Sequence, residues 1–177
     1  MKLSKLPLRH WGGRLRGGAS APPRASVRDA LVAGLGGTLA IALLATLTIH
    51  AGIPALMAPL GASCFLVFVV PDSPFAQPRN LIGGHLVASF VGLAVLTFGG
   101  SGGIALGLAV GLAIVAMQLT RTGHPPAGAD PLVVMLVRPD WTFLLTPVLI
   151  GAIGIVCTAL VFNNLRGGPD YPKYWRG

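Results

Sequence analysis

The amino-acid sequence predicts an all-α membrane protein. It has four long transmembrane helices plus two short ones, half or re-entrant, arranged as two inverted three-segment repeats. Three observations predict this. Of 177 residues, 53% are hydrophobic and only 10% are charged, where a soluble domain carries about 25% charged residues. Four apolar stretches reach the roughly 20 residues that cross a bilayer. Two shorter apolar stretches lie between them and match each other in sequence. Glu is absent and mean hydropathy is +0.75, so a soluble fold of this length would lack the polar surface to cover its core.

The chain opens on a basic flank, 1–28, predicted to be cytoplasmic. It holds seven of the thirteen Lys and Arg: Lys2, Lys5, Arg9, Arg14, Arg16, Arg24 and Arg28. Basic residues beside apolar spans follow the positive-inside rule, with anionic headgroups as expected neighbours. That placement, with few aromatics interleaved, excludes the nucleic-acid partner that a net charge of +8 would suggest. The flank is long and broken by Gly and Pro, unlike a signal peptide.

The long spans are Ala30–Ile49, Leu81–Phe98, Gly103–Thr120 and Thr142–Phe162, and the short stretches are Pro54–Val70 and Gly128–Val137. The first short stretch reads Pro59-Leu-Gly61-Ala62-Ser63, an apolar run, then Pro71-Asp72. The second reads Pro126-Ala-Gly128-Ala129-Asp130, an apolar run, then Arg138-Pro139-Asp140. This divides the chain into repeat one, 29–98, and repeat two, 103–163, a duplication common in transporters. If both short segments cross, twelve Lys and Arg fall on one side and Arg138 alone on the other; if both re-enter, the split is ten to three. The first arrangement fits the charge rule better and makes the repeats inverted. Gly84, Ala88 and Gly92, and likewise Gly103, Gly107 and Gly111, lie four apart on one helix face. That spacing suits close packing in the bundle or in a homo-oligomer. Trp141, Tyr171, Tyr174 and Trp175 are placed as interfacial aromatics. Residues 166–177 form a C-terminal tail.

Polar groups at membrane depth mark a path or a functional contact. The densest cluster runs from Thr122 through His124, Pro125, Pro126, Gly128, Ala129 and Asp130. A helix starting near Asp130, and its counterpart at Gly61, Ala62 and Ser63, would offer free N–H groups and a positive dipole end. Asp130 and Ser63 are also of the type that caps such ends. Two helix starts facing each other near mid-membrane would attract a small anion without trapping it. An ionised Asp130 works against this and must point away, pair with Arg121 or Arg138, or be protonated. His124 is a candidate protonatable gate. His85, inside a span, is read either as a packing histidine or as a pathway residue. In the loop before the second long span, Gln77, Arg79 and Asn80 are polar; Asn80 is placed to cap, and Arg79 to anchor or to steer anions. Cys64 and Cys157 lie in apolar stretches as packing residues. No metal-ligand spacing, cofactor loop or paired-carboxylate site is present, and no oriented third group completes Ser63 and His124 as a nucleophile and base. An enzyme is therefore not expected.

At His124-Pro125-Pro126-Ala-Gly-Ala-Asp130 the sequence resembles the HPP family of integral membrane proteins. Pro59–Ser63, Pro71–Pro74, Ala76–Asn80, Gly83–His85 and Tyr171–Trp175 match in order, so the likeness covers roughly Arg28 to Trp175. It implies an HPP-type transmembrane domain over 29–165 and a four-span fold. Members in chloroplasts and cyanobacteria are associated with nitrite transport, which implies a small-anion permease here; the Ala-, Gly- and Arg-rich composition, with no evident plastid-type transit peptide, points to a bacterial inner membrane. The competing expectations are a non-transporting membrane scaffold and a permease for another small solute.

Overall fold

The computed structural model describes residues 18–167 and 170–176, so Lys2 to Arg16 of the basic flank and His10 lie outside the described residues. Among those described there is no strand. Six α-helices follow in order: α1 Val27–His50, α2 Ala58–Val69, α3 Pro78–Gly99, α4 Gly103–Leu119, α5 Asp130–Val137 and α6 Ile150–Leu165.

Three segments are long and apolar enough to cross a membrane: Val27–His50, Pro78–Gly99 and Trp141–Leu165. The sequence predicts four. The difference is α4, whose 17 residues reach about 26 Å at 1.5 Å per residue. Helices α2 and α5, with 12 and 8 residues, span only about 18 and 12 Å, short of a hydrocarbon core of about 30 Å. The last span is broken at its start. A 3-10 turn, Trp141–Leu144, is capped by Asp140, and hydrogen bonds from the Thr142 hydroxyl and backbone N–H hold that carboxyl below its ordinary range. Thr146 then leaves helical geometry (φ −144°, ψ 118°), and its hydroxyl donates to the Pro54 carbonyl.

Each helix reverses the direction of the one before. The start of α1 (Arg28), the end of α2 (Val69) and the end of α6 (Arg166) line one cavity. At the same end Arg79, opening α3, donates to the Thr120 carbonyl that closes α4, at 3.1 Å. At the opposite end Pro54, just after α1, meets Thr146, and Arg138, just after α5, donates to Ser101 at 2.9 Å. Of the eight described Lys and Arg, seven lie at the first end: Arg24, Arg28, Arg79, Arg121, Arg166, Lys173 and Arg176. Arg138 alone lies at the other.

Helix faces follow the packing. Helix α1 buries only Gly36, Ala40 and Leu44, one residue per turn. Gly36 admits the Phe68 ring, which would lie 2.5 Å from a Cβ there and which meets Phe162 edge-on at 5.6 Å. Leu31, Leu35, Leu39 and Leu43 stay exposed, as lipid-facing side chains do. Helix α4 packs with Ala105, Ala109, Ala113 and Met117. Its Gly103, Gly107 and Gly111 face outward, with open space where a Cβ would stand, so this ladder does not pack in the bundle. The Gly84, Ala88 and Gly92 ladder of α3 does: all three are buried.

Candidate functional site

Helix α2 starts at Ala58 after Met57, with Pro59 in its first turn, where a missing N–H costs nothing. Gly61, Ala62 and Ser63 therefore sit inside the helix and not at its start. Gly61 and Ala62 are exposed, while Ser63 is buried, its hydroxyl 3.3 Å from the Pro59 carbonyl one turn back. The expected capping role of Ser63 is corrected by that earlier start. In the second segment Pro125–Ala129 forms a 3-10 turn before α5, whose cap position is Ala129 without a side-chain bond. The aligned stretches thus differ in conformation, and neither helix start is capped by the side chain the sequence offered, Ser63 or Asp130. Gly128 has open space at its Cβ position, so close approach is not what it provides. Pro125 is exposed, Pro126 buried, and Gly128 and Ala129 half-buried.

Instead, four polar side chains from four segments converge. Ser63 Oγ lies 2.8 Å from His85 Nε2 and 2.8 Å from His124 Nε2. His85 Nδ1 lies 2.8 Å from Asp130 Oδ2, and Ser89 donates to the same oxygen at 3.0 Å. His124 Nδ1 donates to the Phe75 carbonyl at 2.6 Å. Ser63, His85 and Asp130 are 0% exposed and His124 1%. Asp130 Oδ1 is buried without a partner. Asp130 pairs with His85, and with neither Arg121 nor Arg138. His85 stands seven residues into α3, about 10 Å from its start, so the cluster lies at membrane depth toward the basic end.

The sequence supplies this meeting through small residues. A Cβ on Gly84 would stand 2.6 Å from His124 Cβ and 2.8 Å from the Thr122 carbonyl, and one on Gly83 2.7 Å from Thr122 Cγ2. A Cβ on Gly92 would stand 3.0 Å from Pro131 Cα. The missing side chains on α3 let the 122–131 segment lie directly on it. Asp130, His85 and Ser63 form the arrangement of a carboxylate, an imidazole and a hydroxyl. The imidazole that Asp130 orients is His85 from α3, whereas His124, the partner the sequence paired with Ser63, is held at Nδ1 by the Phe75 carbonyl. Ser89, four residues after His85 and so on its face, was not singled out; that spacing was the available signal.

The loop residues have other tasks. Arg79 caps α4 through Thr120. Asn80 does not cap α3, because Gln77 occupies the cap position. It donates to Gly123 at 2.9 Å and accepts from the Tyr174 hydroxyl at 3.1 Å, tying the loop to the turn carrying His124. Gln77 is fully buried. It donates to Pro71 and Ser73 carbonyls at 2.8 and 2.9 Å and accepts from Lys173 N at 2.7 Å. Gln77→Ala should lower stability by about 1–3 kcal/mol, read as a lower thermal midpoint in detergent. Tyr171 is buried and donates to Ala76 at 2.8 Å, so it anchors the tail and is not an interfacial aromatic; Trp141 and Trp175 are exposed. Cys64 is buried and Cys157 exposed. Among the described residues no group of His, Cys, Asp and Glu has metal-binding geometry.

A family model described as "HPP, transmembrane region" matches residues 22–172. A transmembrane protein of Dictyostelium discoideum is 42% identical over 128 residues, covering 68% of this chain and 45% of that protein. A second from the same organism is 36% identical over 172 residues, 90% of this chain and 55% of that protein. The chain thus spans about half the length of these relatives. No solved structure matches it.

Proposed function

The chain belongs to the HPP transmembrane family, and from that premise we propose that it is a permease for a small inorganic anion, with nitrite as the first candidate. The observation that carries this reading is the fully buried Asp130–His85–Ser63–His124 cluster. Polar and ionisable groups at membrane depth are costly to keep, and they mark substrate or ion paths. The basic end, with seven described Lys and Arg, is the cytoplasmic side under the charge rule and favours approach of anions. On this reading both termini face the cytoplasm and the membrane is a bacterial inner membrane. The alternating helix directions support treating 29–98 and 103–163 as an inverted pair. Nitrite itself rests on what the family resemblance implies.

A hydrolytic role is the weaker use of the same atoms, because Ser63 Oγ is enclosed between two imidazoles with no exposed surface. The scaffold reading draws on a different feature, the outward glycine face of α4. Nitrite flux into proteoliposomes separates the two. Purified protein should move nitrite faster than empty liposomes do, and His124→Ala should bring the rate down at least about tenfold, a barrier change of about 1.4 kcal/mol. Folded protein that moves no nitrite, nitrate or formate would place the chain with the scaffolds.

A further inference from the structure

We propose that Asp130, His85, Ser63 and His124 together bind one exchangeable proton, shared along a hydrogen-bonded row that ends on the Phe75 carbonyl. This deepens the permease reading by naming its coupling ion, and it rests on that reading for its purpose. The proton itself follows from donors and acceptors alone.

The row has four contacts, at 2.6, 2.8, 2.8 and 2.8 Å: Phe75 O to His124 Nδ1, His124 Nε2 to Ser63 Oγ, Ser63 Oγ to His85 Nε2, and His85 Nδ1 to Asp130 Oδ2. Each contact needs one hydrogen between its heavy atoms. An ionised aspartate, two neutral imidazoles and one hydroxyl bring only three. The Phe75 carbonyl accepts only, so one hydrogen is fixed on His124 Nδ1. A carboxylate also only accepts, which fixes the second on His85 Nδ1. Ser63 then faces two bare Nε2 atoms with a single hydrogen, and one contact becomes lone pair against lone pair at 2.8 Å.

A fourth proton removes the conflict. It rests on His85 as an imidazolium beside the Asp130 carboxylate, on His124, or on Asp130 itself. In each placement the four contacts are all satisfied and the cluster is electrically neutral. Without it the cluster carries a full negative charge at 0% exposure, an arrangement that burial strongly disfavours. Among the described residues no cation outside the cluster supplies the balance. Helix α2 contributes Ser63, with Cys64 as its buried neighbour. Helix α3 contributes His85 and Ser89, the 122–129 turn His124 and Thr122, and α5 Asp130. Arg121 is exposed, Arg138 is bonded to Ser101, and Arg79 to Thr120.

The proton moves by relay. His85 Nε2 gives its hydrogen to Ser63 Oγ while Ser63 gives its own to His124 Nε2. One N–H and one O–H bond break, one of each forms, and the charge shifts between rings whose centres are 5.0 Å apart. Loss of the proton leaves Ser63 one repulsive contact, so α2 is released from α3 or from the turn. Proton binding thus latches the short helix to the rest of the bundle.

The test is ¹⁵N NMR of the histidine-labelled full chain in lipid nanodiscs, which needs no substrate. The expected result at neutral pH is the fourth proton seen either as one imidazolium per chain shared between His85 and His124 or, when it rests on Asp130, as a neutral His85 protonated at Nε2. Ser63→Ala should uncouple the two rings, and Ser63→Thr, which keeps the hydroxyl, should retain the sharing. Two neutral rings, each protonated only at Nδ1, in the unmodified protein would overturn the inference, whatever the variants do. A shared proton seen in protein that moves no nitrite supports the inference and removes only the permease reading. Nitrite flux with both rings neutral and protonated only at Nδ1 does the reverse.

Discussion

Asp130→Asn should stop proton-driven nitrite uptake while leaving the bundle assembled. The two side chains have nearly the same shape, and the amide oxygen still accepts from His85 and Ser89 in place of Oδ2. What disappears is the negative charge. A proton held on either histidine would then be a buried cation without a partner, a state that costs about 3–5 kcal/mol. At about 1.4 kcal/mol per factor of ten, occupancy of the fourth proton falls on the order of 100-fold or more, and uptake should fall with it. The amide N–H₂ would stand where Oδ1 has no partner, so a lower thermal midpoint should accompany the loss. Uptake at the unmodified rate by a folded Asp130→Asn protein would remove the carboxylate from the mechanism.

Gly84→Ala should be nearly as severe, by geometry alone. The new Cβ would stand 2.6 Å from His124 Cβ and 2.8 Å from the Thr122 carbonyl. Backbone cannot swing aside as the tip of a long side chain can, so the 122–124 turn must move off α3. Overpacking of this kind costs about 1–3 kcal/mol, and a displacement of about 1 Å would break the 2.8 Å contact between His124 and Ser63. The thermal midpoint and the flux should drop together. Gly107→Ala is the internal comparison. It meets open space, and exchanging Gly for Ala within a helix is worth about 0.5–1 kcal/mol in favour of Ala. Equal losses in the two variants would show that the contact at Gly84 is not what matters.

The helices were legible because an apolar run of bilayer length leaves few alternatives, and because Pro and Gly mark where the runs stop. The length of α4 was less so: Thr120 continues the apolar stretch, yet its carbonyl is capped by Arg79, a contact between residues 41 apart in sequence. Ser63 was misread for a local reason. Its residue type suits a helix start, but Pro59 had already begun the helix one turn earlier. The cluster itself was half legible. His124, His85, Ser63 and Asp130 were all candidates as isolated polar residues in apolar surroundings. Their meeting was not, since the contacts join residues 22, 45 and 61 apart. Only the glycines at 83, 84 and 92 hinted which helix would receive the HPP turn, and spacing alone did not say that α3 uses one glycine ladder for packing while α4 turns the other outward.

The anchoring of the tail has a consequence for how the protein is made. Tyr171, Lys173 and Tyr174 hold the 74–80 loop, and they are translated 94 to 100 residues after the groups they bind. At an elongation rate of about 5–20 residues per second, the loop waits on the order of 5–20 seconds while α3 to α6 enter the membrane. Throughout that interval Phe75, whose carbonyl terminates the histidine row, belongs to a loop without its clamp. Assembly of the site is therefore among the last events of biogenesis. A ribosome stalled within α6 would leave behind an inserted protein whose 74–80 loop lacks its clamp.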